Sequence, residues 1–185
     1  MKRGRTNVDD ARFPLFVTTT ITEFVPVFRD QAIRCEVLRI IDAQRENFGM
    51  QIFAYVLMPS HIHLITQAPE KGATSRFVGA WKSLSAAAII AASSDEQRRL
   101  ILQAARKYGE PMRKSHKVWM SRFDDVALCF PDTFVTKLEY IHRNPVKAGL
   151  ALEPREYRFS SAAYYSLGRP DAFIQLSDCR PLLAG

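Results

Sequence analysis

A chain of 185 residues, 47% hydrophobic and 24% charged, has the size and composition of one globular domain, or of one domain with an appendage, with enough residues to bury a sizeable core. Its net charge of +7 and pI near 9.5 point to a polyanionic partner, and with no charged amphipathic anchor helix in the sequence, nucleic acid leads over a membrane surface. Cys35, Cys129 and Cys179 are too few and too dispersed for a disulfide framework or a zinc knuckle, the N-terminus lacks the apolar stretch of a secretory signal, and the longest apolar run, Ala86 to Ala92, is far too short for a bilayer, so a reducing cytoplasm is expected.

In chain order, Phe13 to Ile21 is rich in Phe, Val and Thr and predicts a first strand entered through Pro14. Val27 to Phe48 predicts a helix, with Ile33, Val37, Ile40 and Ile41 at helical spacing and Gly49 where a C-terminal cap is expected. Met50 to Met58 is a nearly continuous apolar strand, expected at the centre of a sheet. After a turn at Pro59-Ser60, His61 to Gln67 predicts its antiparallel partner. Thr74 or Ser75 can cap a helix reaching about Ala92, and Ser93-Ser94-Asp95 caps another over Glu96 to Tyr108. Lys117 to Phe123 alternates as a fourth strand would, and Pro131-Asp132-Thr133 opens a last helix that Pro145 ends. The order β-α-β-β-α-(α)-β-α is a split βαβ pattern, so the expected class is α+β, a ferredoxin-like antiparallel sheet with packed helices. The aromatics of Tyr157 and Tyr164-Tyr165 are expected to pack back on this domain.

Two stretches carry chemistry. In Tyr55-Val-Leu-Met-Pro-Ser-His61-Ile62-His63, the histidines are two residues apart on a strand, so both rings share one face while Ile62 points into the core. Neutral imidazoles converging there can hold a divalent cation; the plain alternative is two histidines on a polar sheet face. In Lys137-Leu-Glu-Tyr140-Ile-His-Arg143-Asn144-Pro-Val-Lys147, Tyr140 and Asn144 share a helix face, one offering a phenol nucleophile and the other an amide oxygen for a metal, with Leu138 and Ile141 anchoring the helix. Lys137, Arg143 and Lys147 keep cations near that face, which matters because an unperturbed phenol is only about one part in a thousand ionised at neutral pH. Taken singly, a tyrosine such as Tyr140 is more often a packed helix residue than a nucleophile, and an asparagine such as Asn144 most often a helix C-cap before proline. Histidine-triad hydrolases would need a third histidine where Ile65 stands, and two-histidine phosphoesterases a repeated His-x-Ser/Thr that is absent.

The segments around His61-Ile-His63, Val118-Trp119, Tyr140-Ile-His-Arg-Asn-Pro-Val-Lys-Ala-Gly-Leu150 and Tyr157-Arg-Phe-Ser-Ser161 resemble the IS200-like single-tyrosine (Y1, HUH) transposases, and are most similar to their REP-associated branch. The resemblance implies a catalytic domain over 13–165 between an N-terminal tail, 1–12, and a C-terminal tail, 166–185. It implies that His61, His63 and Asn144 hold Mg²⁺ or Mn²⁺, that Tyr140 attacks single-stranded DNA, and that the strand beside a hairpin is cleaved and rejoined through a 5′-phosphotyrosine. Ser60 departs from the family's frequent asparagine, and the segment 93–116 is longer than in compact members. Arg106, Lys107, Arg113, Lys114, Lys117 and Arg122, together with Lys137, Arg143 and Lys147, are candidates to line the DNA, with Trp119 available for stacking; a solvated charged face is an equal reading for any one of the cations between Arg106 and Arg122. A monomer or homodimer associated with the nucleoid is expected. The second hypothesis is a non-catalytic ferredoxin-like nucleic-acid-binding module, disfavoured because His61 and His63 occupy the sheet face where exposed aromatics would be needed.

Overall fold

A computed structural model of the chain describes residues 10–107 and 118–183, with side chains left out for 105–107. Four strands, β1 (Leu15–Thr20), β2 (Gln51–Leu57), β3 (His61–Gln67) and β4 (Asp124–Ala127), form one sheet in the order β2-β3-β1-β4, every neighbouring pair antiparallel. This is the expected ferredoxin-like arrangement. The helices α1 (Gln31–Asn47) and α2 (Ala73–Ala92) pack on each other, α3 (Asp95–Lys107) follows, and α4 (Pro131–Lys147) lies across β2 and β3. Among the described residues, no helix is long and apolar enough to cross a membrane.

Local signals set the helix ends. The α1 helix starts at Gln31 rather than Val27, because the Asp30 carboxylate accepts from the backbone N–H groups of Ala32 and Ile33 (2.7 and 3.1 Å), while Val27–Arg29 forms a separate 3₁₀ turn. Gly49 takes φ +60° just past its end. Gly72, at φ +85°, stands before α2 where Thr74 or Ser75 was expected. Ser94 caps α3 through a reciprocal pair with Gln97, N–H to side chain in both directions (3.0 and 3.2 Å). Pro145 does not end α4. The helix runs to Lys147 and closes with Gly149 N–H on the Val146 carbonyl and Leu150 N–H on the Pro145 carbonyl, Gly149 adopting φ +68°.

Two strand expectations are corrected. The fourth strand is Asp124–Ala127 rather than the expected Lys117–Phe123, of which Lys117 lies outside the described residues: Val118 to Met120 touches the extension of β1 only as a bridge from Ile21 to Trp119, because the Trp119 ring is drawn into the core against Trp81 and Phe28. Strand β2 is buried from Ile52 to Leu57 yet stands at the sheet's margin, not its centre. Its outer side is buried because the chain after α4 returns to it. Leu57 N–H donates to the Phe159 carbonyl, Ser161 N–H to the Tyr55 carbonyl and Ser177 N–H to the Ile52 carbonyl (2.9, 3.0 and 2.8 Å). The hydroxyls of Tyr157 and Tyr165 donate to the carbonyls of Leu57 and Phe53, so these aromatics do pack back on the sheet.

Candidate active site

Register places the site. Strand β1 pairs with β3 so that Thr20 faces His61, Thr18 faces His63 and Phe16 faces Ile65, and residues directly opposite share a face. Both histidines therefore stand on the face covered by α4. Ile62 and Leu64 alternate to the other face and are buried there.

The rings of His61 and His63 lie 4.9 Å apart, centroid to centroid, at 76°. His63 stacks on Phe16 (5.3 Å, 21°) and meets the Tyr140 ring edge-on at 5.4 Å; Tyr140 also meets Phe16 at 5.8 Å. Buried Ile141 and Phe134, the latter against Phe53, seat α4 so that Tyr140 arrives above the imidazoles with 38% of its surface still open. The Lys137 ammonium lies 4.7 Å from the Phe16 ring and 5.3 Å from that of Tyr140, and the Lys147 ammonium 5.7 Å from the Tyr140 ring.

Both imidazoles are neutral near pH 7. Burial lowers the pKa of His61, and burial, His61 and Lys137 together push His63 down to about 3. His63 Nδ1 meets Thr18 Oγ1 at 2.8 Å, and His61 Nδ1 meets Ser60 Oγ at 3.4 Å. The Nε2 atom of His63 is buried with no hydrogen-bond partner. A neutral imidazole presenting an unpaired ring nitrogen is the donor a divalent ion takes, so the residues fit such an ion. Among the described residues no third His, Cys, Asp or Glu joins the pair, which leaves a further ligand to an amide, water or substrate oxygen.

The structure gathers His61, His63, Tyr140, Lys137 and Lys147. Asn144 lies one turn beyond Tyr140, with its amide nitrogen donating to the Tyr140 carbonyl (3.3 Å), so its oxygen is the atom available as a ligand. Arg143 does not join the Tyr140 face; it lines a cavity of about 480 Å³ behind α4 with Glu139, His142 and Arg155. Trp119, expected to be available for stacking, is 4% exposed and donates to Ser85 Oγ (3.0 Å) from within the core. Arg122 is exposed beside β4, whereas the side chains of Arg106 and Lys107, and all of Arg113, Lys114 and Lys117, lie outside the described residues. Phe16 and Thr18 were missed. Their only sequence signal is the alternation Phe16-x-Thr18-x-Thr20, which shares a face with the histidines once the register is known.

The profile of the IS200-like transposases matches residues 16–107, a span that contains β1 from Phe16 onwards, both histidines and the first three helices. The chain belongs to the IS200-like transposase family. Among solved structures this transposase is similar to a REP-associated tyrosine transposase bound to a REP hairpin, at 19% identity over 96% of this chain and 92% of that one, with a TM-score of 0.57. A candidate transposase from Deinococcus radiodurans R1 aligns at 20% identity over 76% of this chain and 95% of that one, with a TM-score of 0.47. No protein of curated function matches the sequence. The first likeness establishes that the transposase fold extends past the matched span to α4 and the chain that returns to β2.

Proposed function

We propose that this transposase is a DNA strand-transfer enzyme that cleaves and rejoins single-stranded DNA through Tyr140, with His61, His63 and Asn144 as the ligands of one Mg²⁺ or Mn²⁺. The observation that carries the reading is the placement of a half-open tyrosine ring 5.4 Å from a buried neutral histidine whose Nε2 has no partner. When bound, the ion supplies Lewis-acid polarisation of the scissile phosphate. The Tyr140 phenol oxygen forms the new bond to phosphorus, the bond from phosphorus to the DNA 3′ oxygen breaks, and the phenol proton leaves for the solvent as the 3′ oxygen becomes a hydroxyl. The 5′-phosphotyrosine retains one ester bond for the one broken, so a 3′-hydroxyl can reverse the step without ATP. Lys137 and Lys147, beside the ring, draw a phosphate towards it and stabilise the negative charge that develops on that phosphate.

The partner in this reading is single-stranded DNA next to a hairpin, supported by the net charge of +7 and by the REP hairpin held by the similar structure. Arg122 and the cations between Arg106 and Lys117 are proposed to follow its backbone. Trp119 is not. Such an enzyme acts in the cytoplasm, on the nucleoid.

Incubating the protein with Mn²⁺ and a hairpin-flanked single strand should leave the downstream fragment attached to the protein through its 5′ phosphate, surviving denaturation. Tyr140→Phe removes one oxygen, keeps the ring's packing, and should bind the strand without forming an adduct or a nick. Peptide mapping should find the added mass on Tyr140. An adduct on Tyr157 or Tyr164, or cleavage persisting in the Phe variant, would sink the assignment, and a wild-type protein that binds but never cuts would return the non-catalytic module.

A further inference from the structure

Thr18 stands opposite His63 on the central strand and touches only one of its two ring nitrogens, Nδ1, at 2.8 Å. A neutral imidazole has a single N–H, so the direction of this one hydrogen bond decides what Nε2 is. If the Thr18 oxygen accepts from Nδ1–H, Nε2 presents a free lone pair. If the Thr18 hydroxyl donates instead, Nε2 carries a proton and aims it at a space where the structure gives it no acceptor.

Two observations choose between these states. A buried N–H without an acceptor is a costly orphan, and the Lys137 ammonium, 4.7 Å from the Phe16 ring on which His63 stacks, favours a lone pair over a second N–H. Thr18 is also unable to turn away easily. It is β-branched, with few side-chain rotamers on a strand, and it is paired on both sides, to His63 and to Asp124.

We propose that Thr18 is a positioning residue that accepts from His63 Nδ1–H, fixing the imidazole tautomer and ring angle so that Nε2 is a permanent lone-pair donor to a divalent cation. The inference rests on the metal reading of His61 and His63 given above. It adds a residue that never touches the ion yet determines whether one of the ligands can bind it.

The test uses the full chain without DNA. Long-range ¹H–¹⁵N spectra of metal-free wild-type protein should show His63 with a protonated Nδ1 and an unprotonated Nε2. Calorimetric titration with Mn²⁺ should then show a Kd raised about 10- to 100-fold in Thr18→Val, which keeps the branched shape and loses the oxygen, and close to wild type in Thr18→Ser. A wild-type His63 protonated at Nε2 overturns the proposal whatever the variants do, and so does a Thr18→Val protein that binds Mn²⁺ as the wild type does. Mn²⁺ binding by wild type that His61→Ala leaves intact, or no binding by wild type, overturns the metal reading and with it Thr18's role towards the ion; the ring spectra report separately whether Thr18 holds the tautomer.

Discussion

Two imidazoles on opposite sides of one helix-and-sheet interface, His63 buried and His142 half-buried, have different fates. Burial depresses the pKa of both, His63 to about 3 and His142 to about 4. His142 spends its Nε2 on Ser161 Oγ at 2.9 Å, and Ser161 in turn accepts from Tyr55 N–H and donates to the Tyr55 carbonyl. His63 leaves its Nε2 unpaired beside Tyr140. Burial and a lowered pKa are thus common to a staple and to a site. What separates them is that His63 keeps a buried nitrogen without a partner and His142 does not, which leaves the one open for a ligand.

The largest effect expected from breaking this contrast is on cleavage. Replacing both His61 and His63 with alanine should lower Mn²⁺-dependent nicking by about a thousandfold or more, equivalent to about 4 kcal/mol of lost charge stabilisation, while the far-ultraviolet spectrum and cooperative melting persist. Nicking at the wild-type rate would remove the pair from the site. Next in size, Ser161→Ala strips three hydrogen bonds from the staple and should cost about 2–3 kcal/mol in urea unfolding, yet leave Mn²⁺ affinity as it was. A variant of wild-type stability would show that the His142 side of the comparison is no staple.

The smallest effect sharpens the titration of that staple. The folded state keeps His142 neutral down to about pH 4, whereas in the unfolded chain its imidazole takes a proton near its ordinary value of 6.5. Between those values the unfolded state binds more protons, so this contribution is intact above pH 6.5 and is lost as the pH falls towards 4. Wild type should therefore lose about 2 kcal/mol more than His142→Gln between about pH 7.5 and about pH 5, by urea titration at each pH. Parallel losses in the two proteins would mean that His142 does not titrate between them.

Much of this arrangement was legible in the sequence. The element order came from periodicity and caps, and the shared face of His61 and His63 from strand alternation alone. What escaped had physical reasons. The apolar run of β2 reads as a central strand because sequence reports burial, not its cause, and the cover is supplied by backbone from Phe159 to Ser177, far along the chain. Asp124-Asp-Val-Ala carries no apolar alternation, so β4 was displaced onto the neighbouring stretch, whose Val118 and Trp119 are apolar for the core rather than for the sheet. Phe16 and Thr18 became part of the site only through register, a relation between two strands that neither announces separately. Lys137 and Lys147 were found because helix spacing is local, and Arg143 was misplaced because three residues along a helix also turn it towards the cavity behind α4.

The closure of β2 by the end of the chain has a consequence for how the protein is made. Until the residues from Phe159 to Ser177 have left the ribosome, the outer backbone of β2 offers unpaired N–H and C=O groups along an apolar strand, the template on which strands of other molecules add. The nascent chain therefore carries a sticky border until that later segment emerges and folds over it. A stop codon placed just before Phe159 would leave that border open permanently, and its product should collect in the insoluble fraction even though all four strands, both histidines and Tyr140 are present.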